Sequence, residues 1–218
     1  MYIYSNLATS IDGKIATADR KYFPMGTAAD LKRMLELRAK ADVVLFGAGV
    51  LRTFKNPCFA TPSFRKQPIN AVLSSRLEGI NPSWPFFKSD KINRILFVSD
   101  RAPRATLRKF ETSSQIILLN SLKPVANQVI KKLSARGVKN LLVEGGGEVM
   151  WEFVRKNLID DYFLTLTPRV LGGSRAPTLV DGAGLSVQKS LNLELTQVKR
   201  VGDELYLTYR RTARLGNR

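Results

Sequence analysis

Apolar positions along the chain follow two different periods. Eight runs have strand character: MYIYSNLA at the start, then ADVVLFGAG, INAVLSS, INRILFVSD, SQIILLN, VKNLLVEGG, DDYFLTLTP and, near the end, ELYLTYRR. Several are almost continuously apolar, the pattern of strands covered on both faces. Between them lie helical patterns. TAADLKRMLELRAKA has Thr27 as N-cap and Asp30 in the first turn, and it repeats Leu31, Met34, Leu35 and Arg38 at helical spacing. KPVANQVIKKLSARG aligns Val125, Val129, Ile130 and Leu133, with Gly137 as its stop, and GGEVMWEFVRKN aligns Val149, Met150, Phe153 and Val154. Strands alternating with helices predict parallel βαβ units. From Leu185 onward the pattern alternates strand-fashion around a Gly202-Asp203 turn, which predicts an antiparallel hairpin. The expected fold is α/β: a mostly parallel, mixed sheet flanked by helices and finished by an antiparallel C-terminal hairpin. With no repeats and no break in composition, positions 1–218 read as one domain, and the three-proline segment Arg52 to Pro68 reads as a long loop and a potential lid.

Two glycine groups follow buried strands directly: Gly47 and Gly49 in LFGAGV, and Gly145, Gly146 and Gly147 in VEGGGE. Glycine is the costliest residue to order, so a run of three demands a reason. A strand–glycine–helix junction exposes backbone N–H groups at a helix N-terminus, where the dipole favours phosphate, and the missing Cβ lets a ligand approach the main chain. In a parallel sheet such ligands bind at the carboxyl ends of strands. The competing reading is a tight turn or close helix–sheet packing. Neither cluster matches the G-x-G-x-x-G or P-loop pattern.

Composition narrows the chemistry. The chain has no histidine, which removes Ser-His-Asp and Cys-His catalysis and the common zinc sites, and no metal site is expected. The single cysteine, Cys58, excludes an internal disulfide. The longest apolar candidate, Val43 to Leu51, is interrupted by glycines, so no membrane span is expected, and the N-terminus lacks a basic leader; a cytoplasmic location is the expectation. Thirty-five Lys and Arg against 18 Asp and Glu leave a net charge of +17. That charge attracts anions, but it is scattered and no aromatic RNA-binding motif accompanies it, so a nucleic-acid partner is the minority reading.

NLATSIDGKIA near the start, LRAKADVVLFGAG, VLSSRL, and the late block LLVEGGGEVMWEFVRKNLIDDYFLTLTPRVLGG occur in an order that resembles the riboflavin-biosynthesis reductase family. That family comprises the C-terminal half of the bifunctional pyrimidine deaminase-reductase and its stand-alone relatives. The resemblance spans nearly the whole chain and implies a dihydrofolate-reductase-like fold, NADPH as cofactor and a homodimer. It also implies hydride transfer to the sugar C1 of a 5-amino-6-ribosylaminopyrimidine 5′-phosphate, giving the ribitylamino compound. Matched residue by residue, it places Ala8 and the Asp12-Gly13 turn by the cofactor, with Gly47, Gly49 and Val50 at a second cofactor-contacting strand end. Ser75 and Arg76 would meet the adenosine 2′-phosphate. Gly145, Gly146, Gly147, Glu148, Val149 and Met150 would cradle the pyrophosphate. Arg38 and Glu144 would face the substrate.

The chain departs from the family pattern at several points. Val50 stands where the family usually has threonine, Lys55 and Asn56 precede Pro57 where an acidic pair is usual, and Ser74-Ser75-Arg76 replaces D-S-R. With Lys55 and Asn56 on the substrate side, a more anionic substrate, or another imine or carbonyl compound such as a pterin, remains open. A basic anion-binding protein without catalysis is the alternative from another class.

Overall fold

The computed structural model describes residues 1–61 and 66–212. Nine strands form one sheet in the order β5-β4-β3-β2-β6-β1-β7-β9-β8. They are β1 Tyr2–Thr9, β2 Val43–Gly47, β3 Ile69–Ser74, β4 Arg94–Ser99, β5 Gln115–Leu119, β6 Asn140–Val143, β7 Asp161–Leu166, β8 Leu193–Val201 and β9 Glu204–Arg211. All pairings from β5 across to β7 are parallel; β9 and β8 are antiparallel. The mixed sheet with its C-terminal hairpin is the expected architecture, although the hairpin strands begin at Leu193 rather than Leu185.

The apolar runs are continuous because successive side chains enter two separate cores. Val43 and Leu45 point to one face, where α5 (Val125–Ser134) and α6 (Gly147–Val154) supply Val129, Leu133, Met150 and Phe153. Val44 and Phe46 point to the other, with Leu37 of α1 (Ala28–Ala39) and Leu51 of α2 (Ala48–Phe54). Phe86 and Phe87 of α3 (Pro85–Lys88) and Leu107 of α4 (Arg104–Arg108) complete this second core, where Phe46, Phe86, Phe87 and Phe110 form a chain of ring contacts. At four and five residues, α3 and α4 are too short to show a helical period in sequence.

Two expectations need correction. Gly47 ends β2 and caps α2, so Gly49 and Val50 lie in a helix rather than at a strand end, and Arg52 to Phe54 are helical rather than loop. Of the expected lid over 52–68, positions 62–65 lie outside the described residues. Thr27 has extended N-cap geometry, but its side chain does not cap its own helix. Its N–H and hydroxyl both donate to the Glu204 carboxylate of β9, at 2.7 and 2.8 Å.

The chain lays β2 to β5 outward in one direction and returns to insert β6 between β2 and β1. A change of strand order opens a crevice at the carboxyl ends of the strands. Here it falls between β2 and β6, where both glycine groups lie.

Candidate active site

The two glycine corners are joined by main-chain bonds: Glu144 N–H donates to Leu45 O at 2.9 Å, and Gly47 N–H to Gly145 O at 2.7 Å. The three glycines of the β6–α6 corner serve three purposes. Gly145 takes φ +84°, open to glycine but rare for other residues, and Leu7 would lie 3.0 Å from any Cβ there. Gly147 is covered by protein: a Cβ would stand 2.2 Å from Asp181 Oδ2 and 2.6 Å from Thr178 O. Only Gly146 faces space, its nearest prospective Cβ contacts being Ile15 at 3.8 Å and Val50 at 4.0 Å. Gly146 is also the N-cap of α6, and the Gly145–Gly146 peptide is cis.

A cavity of about 740 Å³ opens from this corner and runs along the carboxyl ends of β2 to β6. Its polar lining combines main chain with small neutral groups, Ser75 after β3, Ser99 at the end of β4, Asn120 and Ser121 after β5, and with charged side chains. Arg20, Arg52 and Arg76 add positive charge, and Glu78, Glu148, Glu152 and Asp181 add four carboxylates. Arg52 donates to Glu78 O at 3.0 Å, while Arg76 makes only an open 3.6 Å pair with Glu78.

Of the residues singled out from sequence, Gly47, Gly49, Val50, Ser75, Arg76, Gly146, Gly147, Glu148 and Val149 all line this cavity. Others lie elsewhere. Met150 is buried in the core below α6, and Gly145 backs onto Leu7. Asp12 accepts the N–H groups of Leu171 and Gly172 at 3.0 and 2.7 Å, and the bond from Leu171 leads in holding its carboxyl down at about 2. Gly13 completes that turn at φ +78°. Lys55 closes α2 in the left-handed region and sets its ammonium 5.6 Å over the Trp84 ring; Asn56 donates to Phe54 O at 2.8 Å. Neither lines the cavity, so the exchange of an acidic pair for Lys55 and Asn56 adds no charge to it.

Arg38 and Glu144 meet beneath α1, the guanidinium donating to both carboxylate oxygens at 2.8 and 2.6 Å. Their side chains are 12% and 8% exposed. Burial pulls the Arg38 guanidinium down, but the Glu144 carboxylate more than reverses this and the net shift is upward. Beside them Cys58 is buried, and burial pushes its thiol up to about 12. Further along α1, Thr165 donates to Asp30 Oδ1 at 2.6 Å while accepting from Arg33 at 3.1 Å. Burial raises the Asp30 carboxyl and lowers the Arg33 guanidinium, which lies over the rings of Phe163 and Tyr206.

Sequence reasoning missed Ser99, Asn120, Ser121, Asp181 and the Asp30–Thr165 pair. The first three follow β4 and β5, so the rule that ligands meet carboxyl strand ends points to them. Nothing in the local sequence marks Asp181.

Fold and crevice together define an α/β protein with a crevice across a parallel sheet at a change of strand order, opening onto the main chain of a helix N-terminus. The chain belongs to the RibD C-terminal domain family, whose model matches residues 1–207. A relative from Archaeoglobus fulgidus, named 2,5-diamino-6-ribosylamino-4(3H)-pyrimidinone 5′-phosphate reductase, is 26% identical over 219 residues, covering 96% of this chain and 97% of the relative. The riboflavin biosynthesis protein RibD of Bacillus amyloliquefaciens is 28% identical over 222 residues, covering 95% of this chain and 56% of its own length. Among solved structures, a pyrimidine reductase-like protein from Corynebacterium diphtheriae superposes with a TM-score of 0.86 at 19% identity, covering 97% and 92% of the two chains. The deaminase/5-amino-6-(5-phosphoribosylamino)uracil reductase of Thermotoga maritima gives 0.79 at 20% identity, covering 97% of this chain and 56% of that one. No helix among the described residues is long and apolar enough to cross a membrane.

Proposed function

We propose that the chain binds NADPH along the carboxyl ends of β2 to β6 and reduces a 5-amino-6-ribosylaminopyrimidine 5′-phosphate to its ribitylamino counterpart. One observation carries the cofactor reading: the bare main chain of Gly146 at the start of α6, opening into a cavity of about 740 Å³. A side chain at Gly146 would grow into that opening, so the corner is shaped for a group pressed against the backbone. The N-terminal amides of α6 suit a pyrophosphate. At the far end, Ser75, Arg76 and Arg52 offer hydroxyl and guanidinium donors that suit the 2′-phosphate of NADPH, with the Glu78 carboxylate only loosely paired to Arg76 at 3.6 Å.

Bound there, the dihydronicotinamide supplies a hydride. At the substrate, gain of that hydride by the sugar C1 would open the C1–O4′ bond, with O4′ taking up a proton. The protein's part is orientation. Arg38 fixes the Glu144 carboxylate at the end of β6, and Ala8 on β1 leaves room for the sugar. A homodimer, on the strength of the resemblance, and a cytoplasmic location, in keeping with the single cysteine, complete the reading.

The test is NADPH oxidation with the ribosylaminopyrimidine phosphate, with dihydrofolate as the comparison. Turnover of the first alone is expected. Oxidation with dihydrofolate alone would replace the substrate, and absence of any NADPH-dependent thermal shift would remove the cofactor.

A further inference from the structure

The segment after β1 carries an arginine where the backbone favours glycine. Arg20 has φ +54°, in the left-handed region that residues with a Cβ seldom adopt. Its place is fixed from two directions. Arg20 N–H donates to Thr17 O at 3.0 Å, and its carbonyl accepts the Thr53 hydroxyl of α2 at 3.3 Å. Two residues on, Tyr22 meets Phe54 at the end of α2 edge to face, with ring centroids 4.8 Å apart, although both rings are exposed. These contacts pin the segment to α2 and hold Arg20 at the cavity wall.

What Arg20 meets there is a second guanidinium. A Cβ placed on Gly49 would have only two neighbours within 4 Å, Arg52 Nη2 at 3.9 Å and Arg20 Nη1 at 4.0 Å. The space over Gly49 is therefore flanked by two cations from different segments and is otherwise open. Like charges so placed repel. Among the described residues neither arginine forms an ion pair. Arg52 uses Nη1 on the Glu78 carbonyl at 3.0 Å, while the Arg20 guanidinium donates no hydrogen bond among those residues. The neighbouring acid, Asp19, accepts the Thr17 hydroxyl at 2.6 Å and lies 3.4 Å from Lys21 Nζ. Glycine at position 20 would suit the backbone and relieve the repulsion. An arginine kept there in an unfavourable state points to an anion between the two side chains.

We propose that Arg20 and Arg52 close on the 2′-phosphate of the dinucleotide, and that Arg20 makes the site selective for NADPH over NADH; the proposal rests on the cofactor reading above. A phosphate monoester carries nearly two negative charges at neutral pH and three free oxygens, enough to take N–H groups from two guanidiniums. The pyrophosphate end is elsewhere: a Cβ on Gly146 would meet Ile15 and Val50, not an arginine. The Arg52 stem, in contrast, runs towards the turn after β3, with Cδ 3.3 Å from the Cβ position of Gly79. That turn also carries Ser75 and Arg76, which line the same cavity. With NADH a hydroxyl stands in place of the phosphate, and the two guanidiniums stay uncompensated.

The experiment measures Kd for NADPH and for NADH by fluorescence, at low and at physiological ionic strength, with thermal unfolding alongside. Arg20→Gly removes the guanidinium and suits the left-handed backbone, so it should melt close to wild type. It should bind NADPH roughly 10-fold more weakly, with NADH changed less than about twofold. Arg20→Lys keeps the charge without the paired donors and should fall between. The NADPH preference of the wild type should also decline with salt more steeply than that of Arg20→Gly. An Arg20→Gly protein that keeps the wild-type preference, an equal loss for both dinucleotides, or a wild type without preference would each overturn the assignment while NADPH binding stands. A wild type that binds neither dinucleotide overturns the cofactor reading, and this inference with it.

Discussion

The two sides of the crevice are built from different materials. On the β2–β6 side the corner at Gly146 is main chain, with serine and asparagine side chains after β3, β4 and β5 and arginines and carboxylates among the remaining lining. Beneath α1 the polar groups are charged side chains wholly or partly withdrawn from water: Arg38 paired with Glu144, Arg33 and Asp30 joined through the Thr165 hydroxyl, and Glu204 at 1% exposure. Neutral donors on a rigid backbone need no counter-charge and hold their state at any pH. Buried charges are stable only while every partner stays in place. The first side can lose a contact without losing the fold, and the second cannot.

Removing one partner of the buried pair is the harshest test of this contrast. Arg38→Ala leaves the Glu144 carboxylate, 8% exposed, without compensation. It should cost about 3–5 kcal/mol in denaturant unfolding, whereas replacing both residues with apolar ones of similar volume should recover much of that loss. A single variant as stable as wild type would show that the pair carries no structural weight.

The glycine corner should separate binding from stability. Gly146→Val is expected to unfold within about 0.5 kcal/mol of wild type, like a surface substitution, yet lose NADPH affinity by at least about 100-fold, some 2.7 kcal/mol. Gly147→Ala should do the reverse. Its Cβ would sit 2.2 Å from Asp181 Oδ2, and overpacking of this kind costs roughly 1–3 kcal/mol. If Gly146→Val binds NADPH normally, the main-chain cradle is wrong.

The smallest effect concerns Asp30. Burial raises its carboxyl above the ordinary value of 3.8. A raised folded pKa means that the native state binds the proton more tightly. The group's stabilising contribution is therefore full below that ordinary value and is lost as pH rises through the folded one. Asp30→Asn should accordingly be more stable than wild type at neutral pH, and the gain should vanish in acid. An unchanged melting temperature across that range would place Asp30 in ordinary solvent.

The legible parts of the molecule were those with a local signature. Alternating and continuous apolar runs marked the positions of β1 to β7, and Gly202, at φ +60°, marks the turn between β8 and β9. The cavity residues after β2, β3 and β6 were legible because glycine clusters and a serine–arginine step follow buried strands. The helical state of Gly49 and Val50 was not, because a short helix starting on a glycine lacks a full period.

What the chain encodes by itself is which stretches become strand or helix and which ends are bare enough for an anion, since both depend on residues close together in sequence. Tertiary structure alone decided the charged pairings beneath α1. Arg38 finds Glu144 across 106 positions, Asp30 finds Thr165 across 135, and Thr27 finds Glu204 across 177. No periodicity carries such pairings. They exist only once the order β6-β1-β7-β9 sets the strands side by side under α1 and fixes which side chains share its face.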